Sequence, residues 1–268
     1  MIWEKIERAE KHIQELEAEI NAFLAVNPYR LVPQHDPVTG DFTHHVFEVD
    51  PAPSSIAIIF GDILNNLRAT LDHLIYELVT ANAGNPGDKW RGGFPIAESE
   101  KGFVQLMSEG QVDGIPQAAQ DIIRLIQPYK GGTGHSLWQL TKLNNINKHR
   151  SVVIVGGKWD SFLMHWVEDF ADNPFGLTES DFPIPIDVSN LPPELVKLKH
   201  GEVLAPMPAQ YKHEREFSVS IAIFEPDVAE SVPPIQICKE LVKAIKGICA
   251  VFIDHGAPRY PGYPILYL

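Results

Sequence analysis

The sequence predicts an α+β fold: mainly an α-helical bundle, with an N-terminal β-hairpin and a β-rich antiparallel insertion. Three observations predict it. Long amphipathic helical periodicities fill the first part of the chain and return near its end. Between about 151 and 230 the texture changes to short β-branched and aromatic runs separated by prolines. The composition, 44% hydrophobic and 21% charged, is that of a globular chain with a core to bury, not of a disordered one. The organisation expected is a single domain over 1–268. Segments 1–150 and 232–256 form the bundle, with the hairpin at 29–49. Segment 151–230 is the insertion and 257–268 an extended tail. A separate β domain is the alternative arrangement.

Residues 2–25 read as a helix, because Ile6, Ile13, Leu16, Ile20 and Leu24 recur at helical spacing between charged residues. Asn27-Pro28 stops it. Tyr29–Val32 and Phe42–Val49 read as strands around the turn Asp36-Pro37-Val38-Thr39-Gly40, and Pro33 marks an edge strand. The strongest helix runs from about Ser55 to Thr80, opened by Pro53-Ser54-Ser55 and stopped by Gly84. Its stripe is Phe60, Ile63, Leu64, Leu67, Leu71, Leu74, Ile75 and Leu78. Shorter helices are predicted near 100–108, 116–127 and 134–147, with Lys130-Gly131-Gly132-Thr133-Gly134 as a flexible joint. Strands are predicted at Ser151–Val155, Phe162–Val167, Gly201–Leu204 and Phe217–Phe224. A last helix opens after Pro233-Pro234, with Ile237, Leu241, Ile245, Ile248 and Phe252 on one face.

The formal net charge is −13, which argues against a protein whose main work is coating DNA or RNA. It leaves room for a local basic site and for a protein partner. Cys238 and Cys249 lie eleven positions apart on one predicted helix, about 16 Å along its axis, too far for a mutual disulfide. They read as reduced core thiols of a cytoplasmic protein. The charged start and the short apolar runs predict neither a leader nor a membrane span.

On a helical wheel of the 55–80 helix, Leu67 and Leu74 mark the core side and Asn65, Ala69 and Tyr76 the opposite side. Arg68 and Asp72 flank one edge; Asn66, His73 and Glu77 flank the other. The ordinary reading is a solvated face with an Arg68–Asp72 pair at i,i+4. The face is nevertheless short of Lys and Glu and carries Asn, a poor helix former. That favours a site or an interface between chains.

Leu67-Arg68-Ala69-Thr70-Leu71-Asp72-His73-Leu74 resembles the Arg-x4-His pattern of the HEPN superfamily, helical bundles that include many metal-independent ribonucleases acting as dimers. Those nucleases often carry a polar residue directly after the Arg; this chain has Ala69. The resemblance implies an endoribonuclease, as a toxin or defence effector, with Arg68 and His73 catalytic. It also implies a homodimer, RNA as substrate and no cofactor. His73 would move protons and Arg68 would hold phosphate. Asn66, Asp72 and Glu77 would support them. The two lie about 140° apart around one helix, so they converge only across a partner copy or a bend. A wider resemblance, to a widespread set of uncharacterised bacterial proteins, rests on three segments. They are Gly61-Asp62-Ile63-Leu64-Asn65-Asn66-Leu67-Arg68 with Asp72-His73-Leu74; Phe94-Pro95-Ile96; and Leu140-Thr141-Lys142-Leu143-Asn144-Asn145-Ile146-Asn147-Lys148-His149-Arg150.

Lys148, His149 and Arg150, with Asn145, form the best anion- or RNA-binding candidate in an acidic chain. Cations that complement a helix C-terminus are the ordinary alternative. The chain holds 11 histidines but no His-Glu-x-x-His, so no metal site is predicted. A bundle site from Asp62, His73 and His149 is the form one would take. His44 and His45 alternate faces of a strand. His12, among Arg8, Lys11 and Glu15, reads as solvated surface. The rivals to the nuclease are a non-catalytic binding or interaction protein, with a dimer or small-ligand site on the 55–80 helix, and a metal-dependent bundle enzyme.

Overall fold

The computed structural model describes residues 1–35, 37–38, 42–48, 51–87, 90–150, 154–166, 184–186, 203–207 and 213–257. The fold is α+β. The helices are α1 (Ile2–Ala25), α2 (Ser54–Ala83), α3 (Glu100–Ser108), α4 (Gln117–Ile126), α5 (His135–His149) and α6 (Pro234–Val251). The strands are β1 (Tyr29–His35), β2 (Phe42–Glu48), β3 (Ile154–Trp166), β4 (Ile184–Ile186), β5 (Val203–Met207), β6 (His213–Glu225) and β7 (Ala229–Val232). The extended tail expected at 257–268 lies, past Ala257, outside the described residues.

The chain divides into two compact units, Met1–Glu17 with Ala57–Val152 and Ile235–Leu268, and Ala18–Ile56 with Val153–Pro234. The hairpin, expected within the helical part, falls in the second unit: β2 pairs antiparallel with β1 on one side and β5 on the other. β1 is thus an edge strand, which is where Pro33 can sit without breaking a ladder. The second sheet has the order β4-β3-β6-β7, all antiparallel. The two runs expected at 151–155 and 162–167 are parts of one strand, β3. Register shifts between Gly156 and Lys158 and between Trp159 and Ser161 carry the polar stretch through it. β4 and β7 were not expected. β4 contains Pro185 and takes the edge, and β7 follows a tight turn in which Asp227 has φ 61°.

The first unit is built on α2. Phe60, Ile63, Leu64, Leu67, Leu71, Leu74, Ile75 and Leu78 are fully buried, and each contributes about 1.5–3 kcal/mol on burial. Gly84, at φ +82°, turns the chain out of the helix, and its N–H donates to the Thr80 carbonyl. Ile2, Ile6, Ala9, Ile13 and Leu16 of α1 and Cys238, Leu241, Ile245 and Cys249 of α6 are also buried. Lys246 bonds Glu10 at 2.8 Å, tying α6 to α1. Both cysteines are free thiols, and burial pushes Cys249 up to about 12 and Cys238 higher still.

His12 corrects the sequence reading: it is buried, with Nδ1 2.7 Å from Glu15 Oε2. It stands three residues after Ala9 and four before Leu16, so it belongs to the core stripe despite its charged neighbours. The expected flexible joint is also corrected. Thr133 Oγ1 donates to the Ile126 carbonyl at 2.8 Å, and Gly131 N–H donates to His135 Nδ1 at 3.1 Å. The glycines serve a tight turn: a Cβ on Gly134 would sit 2.7 Å from the Ile126 carbonyl.

α5 meets α2 at Gly61, where an added Cβ would collide with the Asn147 amide. A glycine inside a helix costs about 1 kcal/mol relative to alanine, so its use here is the close approach. Gly61→Ala should therefore stabilise the protein by about 0.5–1 kcal/mol in an Asn147→Ala background. With Asn147 present the gain should vanish or reverse. Urea unfolding of the four proteins of this double-mutant cycle measures the coupling; independent effects would contradict the contact.

Candidate functional site

Arg68 and Asp72 stand one turn apart on α2. Arg68 Nη1 donates to Asp72 Oδ1 at 2.6 Å, and Arg68 Nη2 donates to the Phe94 carbonyl at 3.3 Å. Asp72 Oδ1 also accepts the Phe94 N–H at 3.0 Å. One ion pair thus holds both backbone groups of one residue. Phe94 is buried, and the chain enters through Gly93, where a Cβ would lie 2.8 Å from Asp72 Oδ1. The expected i,i+4 pair exists, but its first task is to latch the 93–98 segment, here called the strap, onto α2.

The other end of the strap is tied to α5. Trp138 Nε1 donates to Glu98 Oε2 at 2.9 Å, and Lys142 forms an ion pair with Glu98 Oε1. Partial burial works against the charged form of Glu98. The bonds from Lys142 and Trp138 outweigh it and hold the carboxyl below its ordinary range. Lys130 lies over the Trp138 ring at 5.0 Å, and Ala97 N–H donates to the Pro128 carbonyl at 3.0 Å. Three sequence segments remote from one another therefore meet: the 61–74 stretch of α2, the Phe94-Pro95-Ile96 run and the 140–150 stretch of α5. They are the three segments of the wider resemblance.

Gly61 of α2 thus meets Asn147 of α5, and the strap links Arg68 to the Trp138–Lys142 turn.

His73 belongs to other surroundings. It is half-buried, and no hydrogen bond among the described residues involves its ring. Desolvation lowers its pKa, and the nearby Lys5 and N-terminal amine lower it further; Glu77 and Asp72 act in the opposite sense. Within one chain Arg68 bonds the strap, while His73 feels the charges at the start of α1. Asn66 Nδ2 donates to the Asp62 carbonyl at 2.8 Å, a bond within the helix. Lys148, His149, Arg150 and Asn145 are exposed at the end of α5, level with Gly61 and about 18 Å along the axis from His73. The strap links Arg68 and Asp72 of α2 to Trp138 and Lys142 of α5. The structure does not bring His73 to Arg68 or to the basic end.

Sequence reasoning singled out neither Glu98 nor Trp138 and gave Phe94 and Lys142, quoted within the resembling segments, no role in holding the strap. Among the described residues, no group of three or more His, Cys, Asp or Glu is placed to hold a metal ion, and no helix is long and apolar enough to cross a membrane. Two surface grooves among those residues, of 520 and 300 Å³, contain none of the predicted site residues. No family model, curated protein or solved structure matches the chain.

Two predictions follow from this geometry. Asp72→Ala should cost about 1 kcal/mol, a charged hydrogen-bonding group discounted for its exposure, and should speed protease cleavage in 84–93. Unchanged cleavage would mean that the latch does not hold the strap. For His73, the folded pKa lies below the ordinary 6.5, so below that pH the unfolded chain binds the proton more readily. Its contribution is complete above pH 6.5 and is lost as pH falls toward the folded value. Urea midpoints at pH 7.5 and 5.5 should differ less in His73→Gln than in the natural chain.

Proposed function

We propose that the chain is a HEPN-like helical-bundle protein that binds a ligand at the α2–strap–α5 junction and does not cleave RNA. The observation that carries this reading is the engagement of Arg68. Its side chain is 18% exposed, and its guanidinium bonds Asp72 and the Phe94 carbonyl, inside the chain. A nuclease arginine must instead meet a phosphate beside the proton-transferring histidine. Here His73 has a different set of neighbours. The charge of −13 also disfavours a long polyanion and suits a small ligand held by local donors.

A second reading, the metal-independent endoribonuclease, is favoured by one observation. The His73 ring is partly open and free of hydrogen bonds among the described residues, and its lowered pKa favours the neutral form, the one that can accept a proton. It needs a homodimer, in which Arg68 of the partner subunit approaches His73.

Incubation of the purified protein with total RNA and tRNA, with and without EDTA, separates the two. Intact RNA is the expected result. Cleavage in EDTA that is lost in a stably folded His73→Ala protein would overturn the binding reading. Cleavage that EDTA abolishes would overturn both in favour of a metal-dependent enzyme.

A further inference from the structure

We propose that the outer face of α1 and α6 is a docking surface for a second copy of this chain, which lays the same two helices on it about a two-fold axis parallel to them. The inference goes beyond the ligand reading and does not rest on it.

The face is the 520 Å³ groove, and all of its lining belongs to the first unit. Its floor is Ile13 of α1 and Val242 of α6, each 6% exposed. Two ion pairs cross it, Glu10–Lys246 at 2.8 Å and Glu17–Lys239 at 3.5 Å. The carboxylates ascend α1 in the order in which their lysines descend α6. The two helices therefore run antiparallel here, with the bridges two turns, about 10 Å, apart.

The walls of the groove are segregated by charge. α1 lines it with Glu10, Gln14 and Glu17 and no cation, whereas α6 lines it with Lys239, Lys243 and Lys246 and no carboxylate. The three lysines stand at i, i+4 and i+7, on one stripe, where like charges repel one another. Two of them meet the α1 carboxylates. Lys243, between them, is exposed and makes no ion pair or hydrogen bond with the described residues. Gln14, on the opposite wall, is likewise exposed and without a hydrogen bond among those residues. The four bridging side chains remain 31–58% exposed, so each keeps a side on which a second partner can sit.

Such a face is complementary to itself in one closed arrangement. A two-fold axis parallel to the helices lays α1 of each copy over α6 of the other and keeps every residue at its level. Glu10 of the partner subunit then lies over Lys246, and Glu17 of the partner subunit over Lys239, so each bridge becomes a square of alternating charge. Lys243 comes opposite Gln14 of the partner subunit, with Glu10 of the partner subunit one turn away. A two-fold axis across the helices would instead set carboxylate over carboxylate and ammonium over ammonium. The lysine stems supply apolar contact above Ile13 and Val242. Surface ion pairs are individually weak and screened by salt, so the dimer is a weak, salt-sensitive one whose charges chiefly set its geometry.

Sedimentation equilibrium of the full chain, at low and at high ionic strength, is the test. At low salt the natural chain should exchange reversibly between monomer and dimer, and high salt should weaken the dimer about tenfold or more. Lys243→Glu and Gln14→Lys should each weaken it about tenfold or more, by setting like charges against each other. Both positions are exposed, so circular dichroism and the melting temperature should match the natural chain. An equimolar mixture of the two variants should form a heterodimer, because the two replacements restore opposite charges across the contact. Three results would overturn the proposal. One is a natural chain that stays monomeric throughout, which would mean a solvated face. Another is a dimer that neither variant moves, which would place the contact elsewhere on the chain. The last is a mixture that associates no better than each variant alone. Whether the chain binds a ligand or cleaves RNA changes none of these outcomes.

Discussion

A thirty-residue helix covered along most of its length constrains everything else in the first unit. α2 buries ten apolar side chains, and parts of its polar edges are met as well. α5 arrives at Gly61, the strap at Arg68 and Asp72, and the 110–116 loop at Asn82, whose Nδ2 donates to the Gly114 carbonyl at 3.0 Å. Gly256 comes so close to Ala81 that a Cβ there would lie 2.7 Å away. Asp62 stays exposed on this helix, whereas Arg68, largely covered, finds its partners within the chain.

Arg68 and Asp72 show how this requirement is met. A solvated i,i+4 pair is worth a few tenths of a kcal/mol. Between a helix and a buried phenylalanine the same pair takes on a backbone N–H and C=O that would otherwise be enclosed and unpaired. The strap then transmits the position of α2 to α5 through Glu98, Trp138 and Lys142. The strap is therefore tied to α2 at Phe94 and to α5 at Glu98. Residues from three distant stretches of sequence depend on one guanidinium.

Periodicity made the helices legible. α1, α2 and α6 carry unbroken apolar stripes, and Asn27-Pro28 and Gly84 end the first two where stop chemistry predicts. The misreadings have identifiable causes. His12 was judged by its charged neighbours in sequence, while its burial is set by Ala9 and Leu16 one turn away. β3 was split because its middle is polar, and bulges hide that from a period-two count. β4 was hidden by the prolines that flank and interrupt it. The Arg68–Asp72 pair was legible, but its purpose was not: a backbone amide and carbonyl at Phe94 leave no mark in residue type.

The position of His73 bears on how a two-residue motif should be read. Arg68 and His73 satisfy a spacing, yet the helix turns them about 140° apart and the surrounding elements then assign each to a different neighbourhood. Lys5 and the start of α1 act on the imidazole; Phe94 and Asp72 hold the guanidinium. A spacing along one helix fixes only an angle. The chemistry comes from what is packed against each side, and here that packing holds Arg68 on the strap. Cations drawn out of water are costly unless something negative meets them, and Asp72 supplies that charge.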